Sequence, residues 1–220
     1  MHATPFECPA ELPLFPLRGV LLLPGGRLPL NVFEPRYLAM VSDALGAGRL
    51  IGMIQPQDNT GSSDKESALY SIGCAGRIVQ FEETADGRFL ITLLGVCRFR
   101  LETETGMQLP YRRSCVSWTE FAKDPADATP QETLPDRKGF ITAACRYLER
   151  QGMSFEQDSV AEAPLDRLTT AIAMICPFSP EEKQALLEAA DTTTRTAMLL
   201  ALMEMALYQS GEGIRRPQFN

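Results

Sequence analysis

Residues 12–38 read LPLFPLRGVLLLPGGRLPLNVFEPRYL, and the order of the signals in this stretch decides the fold class. Leu12, Leu14, Phe15 and Leu17 alternate around Pro13 and Pro16, which makes the segment extended and points to an edge strand, where a missing N–H costs least. Val20-Leu21-Leu22-Leu23 is a short apolar run stopped by Pro24-Gly25-Gly26, a turn signal. Leu28-Pro29-Leu30-Asn31-Val32-Phe33 is extended again. At Glu34-Pro35-Arg36-Tyr37-Leu38 the period changes and a helix opens, with Pro35 suited to its first turn. Leu38, Val41 and Leu45 carry that helix at spacings of three and four, and Gly46 and Gly48 end it.

Working outward, Leu50–Ile54 reads as a buried strand and Gln55–Ala68 as a polar loop. Leu69–Glu82 and Phe89–Leu101 alternate as a strand pair around Asp86-Gly87, a strong short-range hairpin signal. Gly95 inside the second strand marks a bulge or bend. Arg98 and Arg100 share one face of that strand, which on alternation alone reads as a solvated face. Tyr111–Trp118 supplies one more strand. From Glu120 to Thr133 the composition shifts to Pro, Asp and small residues, as a linker does.

The remainder is helical. Apolar spacing predicts helices over 134–150, 163–175, about 180–190 and 193–208. Ser179-Pro180-Glu181-Glu182 has the form of a capping box, with Ser179 as N-cap and Glu182 reaching back. Asp191 or Thr192 caps the last helix. The division expected is a β-rich subdomain over 12–118, a linker over 119–133 and a helical subdomain over 134–208.

Composition narrows the chemistry. A hydrophobic content of 45% over 220 residues builds a real core. A net charge of −7 disfavours nucleic acid and anionic membrane surfaces, both of which want a basic footprint. No apolar run approaches the roughly 18 residues of a spanning helix, and the N-terminus lacks the basic region of a signal peptide, so the expected location is cytoplasmic. The six cysteines include no CxxC pair, so free thiols are expected rather than disulfides or a metal site. The lone histidine, His2, leaves no Ser-His or Cys-His pair to build. No GxxxxGK[ST] loop exists to cradle a nucleotide phosphate. Lys65 and Lys123 fall in expected loops, and Lys138 and Lys183 early in helices among polar neighbours, unlike a buried lysine base. No catalytic group, cofactor or metal is expected.

The motifs do have a family pattern. The PLFPLR opening (Pro13–Arg18), Pro24-Gly25, Leu28-Pro29-Leu30 and Phe33-Glu34-Pro35-Arg36-Tyr37, in that order, resemble the N-terminal substrate-binding domain of the Lon proteases. The resemblance continues through Gly73, Asp86-Gly87-Arg88 and Gly95-Val96-Cys97-Arg98-Phe99-Arg100. It runs on to Lys183-Gln184-Ala185-Leu186-Leu187-Glu188 and Arg195, covering about residues 12–208. It implies an α+β fold in which a PUA-like pseudo-barrel is followed by a bundle of about four helices. Alternation by itself establishes a sheet and not its closure. The ATPase loop and the Ser-Lys dyad of a full-length Lon are missing from these residues. The chain is therefore expected to be a stand-alone, non-catalytic recognition module for unfolded or hydrophobic protein segments, with a separate Lon-type protease as a second partner. The alternative is a small-molecule or regulatory ligand binder with its pocket between the two halves. Oligomeric state stays open.

Candidate binding residues are Arg18, Phe33, Glu34, Arg36 and Tyr37. One reading lines a peptide surface with them, at a strand edge or in an apolar groove. The other has Glu34 pair with Arg18 or Arg36 to pin the strand-to-helix corner, while Phe33 and Tyr37 fill the core.

Overall fold

The computed structural model describes residues 8–57, 67–105, 108–124, 137–153 and 163–212. His2, Lys65, the middle of the polar loop, the linker beyond residue 124 and the end of the tail lie outside the described residues. The chain divides into two compact units, Met1–Thr129 with Phe178–Glu188, and Pro130–Pro177 with Ala189–Asn220.

The first unit is built on six strands: β1 (Glu11–Pro16), β2 (Arg27–Val32), β3 (Leu50–Ile54), β4 (Ile72–Glu83), β5 (Phe89–Thr105) and β6 (Arg113–Ser117), with helix α1 (Pro35–Gly46) after β2. Their order is β2-β5-β4-β3-β1-β6, and β6 also pairs with β5. The 17-residue length of β5 allows this. Residues Phe89–Leu94 pair with β2, and residues Arg100–Thr105 pair with β6. The sheet thus curls back on itself through β5 without becoming a regular barrel, and β2 is left as an outer edge strand. The fold is α+β, as the motifs imply.

Contrary to expectation, β1 is not an edge strand. Glu11–Pro13 pair with β6 and Leu14–Pro16 pair in parallel with β3. Each proline therefore has a ladder partner on one flank only, which spares its missing N–H within an interior strand. Asp86-Gly87 does turn the β4–β5 hairpin: Gly87 has φ +79° and its N–H donates to Thr84 O at 2.9 Å. The expected irregularity at Gly95 is also present. Ala75 opposes Cys97 while Gly76 opposes Gly95, so Val96 is an extra residue on β5. The core gathers Leu12, Leu14, Leu50, Ile54, Ala75 and Val116 around the fully buried Phe99.

Helix α4 (Pro180–Glu188) belongs to this sheet unit, whereas the sequence pattern grouped it with the other helices. Its capping box is formed as expected. Glu182 N–H donates to Ser179 Oγ at 3.2 Å, and Ser179 N–H donates to Glu182 Oε2 at 2.8 Å. Ser179→Ala should lower stability by about 1 kcal/mol. Urea denaturation followed by fluorescence of the single tryptophan, Trp118, checks this; an unchanged midpoint would mean the cap carries nothing.

The second unit contains α2 (Arg137–Arg150), α3 (Leu165–Ile175) and α5 (Thr192–Glu212). Phe140, Tyr147, Leu148, Leu168, Ile172, Leu199 and Met203 are buried in it. Thr169 and Thr196 satisfy each other at 2.9 Å, so two hydroxyls enter an apolar interior without an unpaired group. Asp191 caps α5 by accepting the Thr194 N–H at 2.7 Å, and that bond holds its carboxyl below the ordinary aspartate range. No helix among the described residues is long and apolar enough to cross a membrane. No disulfide joins any of the six cysteines; Cys74, Cys97 and Cys176 are buried.

Candidate functional site

Three of the five candidate residues form one mechanical unit. Glu34 is extended (φ −74°, ψ 132°) ahead of Pro35, and its carbonyl accepts the Tyr37 and Leu38 N–H groups, each at 2.9 Å. The Arg36 Nε and Nη2 groups donate to Glu34 Oε2 at 2.9 and 2.7 Å. The same guanidinium lies 4.7 Å over the Tyr37 ring, which is 4% exposed and packs on Phe15 at 4.3 Å. Glu34, Arg36 and Tyr37 thus pin the corner. The Glu34–Arg36 pair is only half-buried, so Arg36→Ala should cost no more than about 1 kcal/mol.

Arg18 is placed elsewhere. Its Nη2 donates to Glu181 Oε1 on α4 at 3.2 Å, so it does not pair with Glu34. Phe33 does not fill the core. It is 61% exposed, with the Arg88 guanidinium 5.9 Å from its ring centroid.

Phe33 is one of several exposed apolar side chains, a group that the sequence pattern did not single out. Val79, Phe81 and Leu90 are also exposed. The register places Leu30, Ile91 and Phe81 in one cross-strand row over β2, β5 and β4, and Asn31, Leu90 and Glu82 in the next. Phe81 and Phe89 meet edge to face at 5.0 Å. An open groove of about 810 Å³ is lined by Pro29, Leu30, Val79, Phe81, Leu90 and Glu82. The sequence signal was the unbroken apolar run Phe89-Leu90-Ile91. Alternation would leave one side of it polar if that side met only water.

The face of β5 that carries Arg98 is covered rather than solvated. Arg98 is 4% exposed and forms a two-pronged pair with Asp124: Nη2 to Oδ1 at 2.8 Å and Nε to Oδ2 at 2.9 Å. Asp124 Oδ2 also accepts the Arg98 N–H at 2.9 Å, and Arg98 Nη1 donates to Leu187 O at the end of α4 at 3.0 Å. Burial opposes the charge, yet Asp124 outweighs it and the guanidinium pKa is raised. Arg100 does face solvent, with Glu120 at 2.6 Å.

The Lys183-Gln184 motif also turns out to be buried. Lys183 Nζ donates to Gly19 O at 2.8 Å, and Gln184 Nε2 donates to Ile72 O at 3.1 Å. Gln55 links the two by donating to Gln184 Oε1 at 3.2 Å and accepting the Gly19 N–H at 2.9 Å. These side chains fasten α4 to the loop after β1, to Gln55 just past β3 and to the start of β4, which is a structural task. Among the described residues no group of three or more His, Cys, Asp or Glu side chains is placed to hold a metal ion.

Comparison with known proteins agrees with this geometry. The family model described as the ATP-dependent protease La (LON) substrate-binding domain matches residues 11–205. Lon protease 2 of Myxococcus xanthus is 27% identical over 203 residues, covering 90% of this chain and 24% of the relative. The chain therefore spans about a quarter of the length of such relatives. The crystal structure of a Lon N-terminal domain protein from Xanthomonas campestris superposes with a TM-score of 0.61 at 28% identity, covering 87% of this chain and 97% of that one. The N-terminal domain of the Mycobacterium avium complex Lon protease shares the fold, with a TM-score of 0.59 at 16% identity over 88% of this chain and 98% of its own.

Proposed function

Since this chain belongs to the Lon substrate-binding domain family, we propose that it is a non-catalytic, cytoplasmic recognition module that takes up unfolded or hydrophobic protein segments in the groove lined by β2, β5 and β4. One observation supports this most: Val79, Phe81 and Leu90 stand exposed in the lining of an open groove on an otherwise well-packed unit. Exposed apolar side chains lining a groove are what an interaction site needs and what a monomer otherwise tends to avoid. Pro29 lies in the middle of edge strand β2, where it interrupts any ladder a new strand would form. The groove is therefore favoured over strand addition, with affinity coming from side-chain burial. Phe81 and Leu90 contact the client, whereas Glu34, Arg36, Tyr37 and Arg18 hold the corner and the neighbouring helix in place and Phe33 stands outside the groove. A separate Lon-type protease that shares these clients is the partner the family suggests.

Fluorescence anisotropy with a reduced, alkylated and therefore permanently unfolded protein tests the reading. The double variant Phe81→Ser/Leu90→Ser should bind at least about tenfold more weakly, since a few large side chains dominate such surfaces. Arg36→Ala should keep near-native affinity. Unaltered affinity of the double variant would place recognition elsewhere, and no client binding by the native chain would remove the reading altogether.

A further inference from the structure

The sheet unit holds a second cavity, of about 620 Å³, where the end of α1 meets β1, β3, β4 and β6. Its size falls within the range of small-molecule sites, roughly 300–1,000 Å³. Its apolar wall is made by Leu12, Ala44 and Leu50, all buried. Four charged side chains face it: Glu11, Asp43, Arg77 and Arg113.

The acceptors among them are already engaged. Glu11 Oε2 lies 3.3 Å from Arg113 Nη2, and Asp43 Oδ2 accepts the Tyr111 hydroxyl at 2.6 Å. Burial first, then the bond to Asp43, pushes the Tyr111 pKa up to about 12. The phenol therefore keeps its proton and stays committed to Asp43 at any ordinary pH.

One donor is not used up. Arg113 is held by Glu11, and its Nε is shielded from water and so from the cavity. Arg77, directly opposite Leu50 on the neighbouring strand, makes no ion pair or side-chain hydrogen bond among the described residues. A guanidinium offers five N–H donors and no acceptor. What the cavity lacks is thus an acceptor-only group. One negative charge suits it, because Glu11 and Asp43 on the same walls repel a polyanion.

We propose that this cavity binds a monocarboxylate with a short apolar body, the carboxylate on Arg77 and the hydrocarbon on Leu12, Ala44 and Leu50. The carboxylate geometry matches the paired N–H edge of an arginine. Such a ligand comes either as the C-terminus of a peptide ending in an apolar residue or as a free organic acid. The inference goes beyond the groove reading and does not depend on it.

The test is a titration of the full ¹⁵N-labelled chain, watched by NMR, with three probes. N-acetylleucine mimics a peptide C-terminus, 4-methylpentanoic acid is a free acid of similar body, and N-acetylleucinamide has the body without the charge. Fragments of this size bind with Kd on the order of millimolar. Both acids, or one of them, should shift the Arg77 Nε–H resonance, with the amide at least tenfold weaker. Tighter binding of N-acetylleucine identifies peptide C-termini as the source; tighter binding of 4-methylpentanoic acid identifies free acids. Arg77→Gln should weaken the acids at least tenfold without lowering the melting temperature, and Arg77→Lys should recover part of the loss. The proposal fails if the amide binds as well as the acids or if Arg77→Gln binds like the native chain. It fails equally if neither acid shifts a resonance at roughly ten times the expected Kd.

Discussion

Asp124→Asn should destabilise the sheet unit by about 3–5 kcal/mol, because it leaves the Arg98 charge buried and uncompensated. The side chains of the pair are only 5% and 6% exposed, so water does not replace the lost carboxylate. Asp124 also accepts the Arg98 backbone N–H, and Arg98 reaches on to Leu187 O. The substitution therefore disturbs β5, the chain after β6 and the end of α4 together. Replacing both partners by apolar residues, Arg98→Met/Asp124→Leu, should restore most of the loss, since a well-packed apolar pair is often neutral against a buried ion pair. Trp118 suits the measurement: its ring packs edge to face on Phe99 at 6.1 Å, and its Nε1 donates to Pro9 O at 2.8 Å. Its fluorescence reports the sheet unit without assuming that the whole chain unfolds in one step. A single variant within about 0.5 kcal/mol of native, the range of ordinary surface substitutions, would show that the pair is not closed to water.

Arg98 also shows where a lone sequence stops being legible. Alternation along β5 correctly puts Arg98 and Arg100 on one face. It cannot say that Phe121, Asp124 and the end of α4 cover one of them and leave the other in water. The covering helix comes from almost 90 residues further along the chain, and no local period encodes that return. The same gap explains Lys183 and Gln184, which look like solvated first-turn residues until Gly19, Gln55 and Ile72 are seen to receive them.

Features held by short-range chemistry were legible. The Asp86-Gly87 turn, Pro35 at the start of α1, and the Ser179–Glu182 box each need only residues within four positions of one another. The corner Glu34-Pro35-Arg36-Tyr37 was legible for the same reason, and the partner of Glu34 is Arg36, two residues away. Arg18 was not, because its partner Glu181 lies 163 positions off. The exposure of Phe33 and Phe81 follows from how far the β4–β5 hairpin and β2 extend past the covered part of the sheet. Strand length hints at this; the apolar character of the residues conceals it.

Gly95→Ala should cost about 3–5 kcal/mol, a figure reached from crowding and lost hydrogen bonds together. A Cβ at position 95 would stand 2.0 Å from Leu23 O and 2.8 Å from its carbonyl carbon. Both are backbone atoms, so no side-chain rotation relieves the overlap and the 23–26 turn must lift off the sheet. That turn is held there by Gly95 N–H donating to Gly26 O at 2.8 Å and Gly25 N–H donating to Gly95 O at 2.9 Å. Moving it sacrifices both bonds, each worth about 1 kcal/mol, and loosens Leu21, Leu22 and Leu23, all buried. This explains why Val20–Leu23, apolar enough for a strand, is not one: its end is anchored to β5 through glycine backbone, without joining a ladder. Gly46→Ala is the control. Nothing lies within 4 Å of a Cβ there, at the last residue of α1, so alanine should be neutral or stabilise by up to about 1 kcal/mol. If urea denaturation gave the two variants the same stability, backbone approach at Gly95 would not be what seats the PGG turn. The motif would then owe its place to the leucines alone.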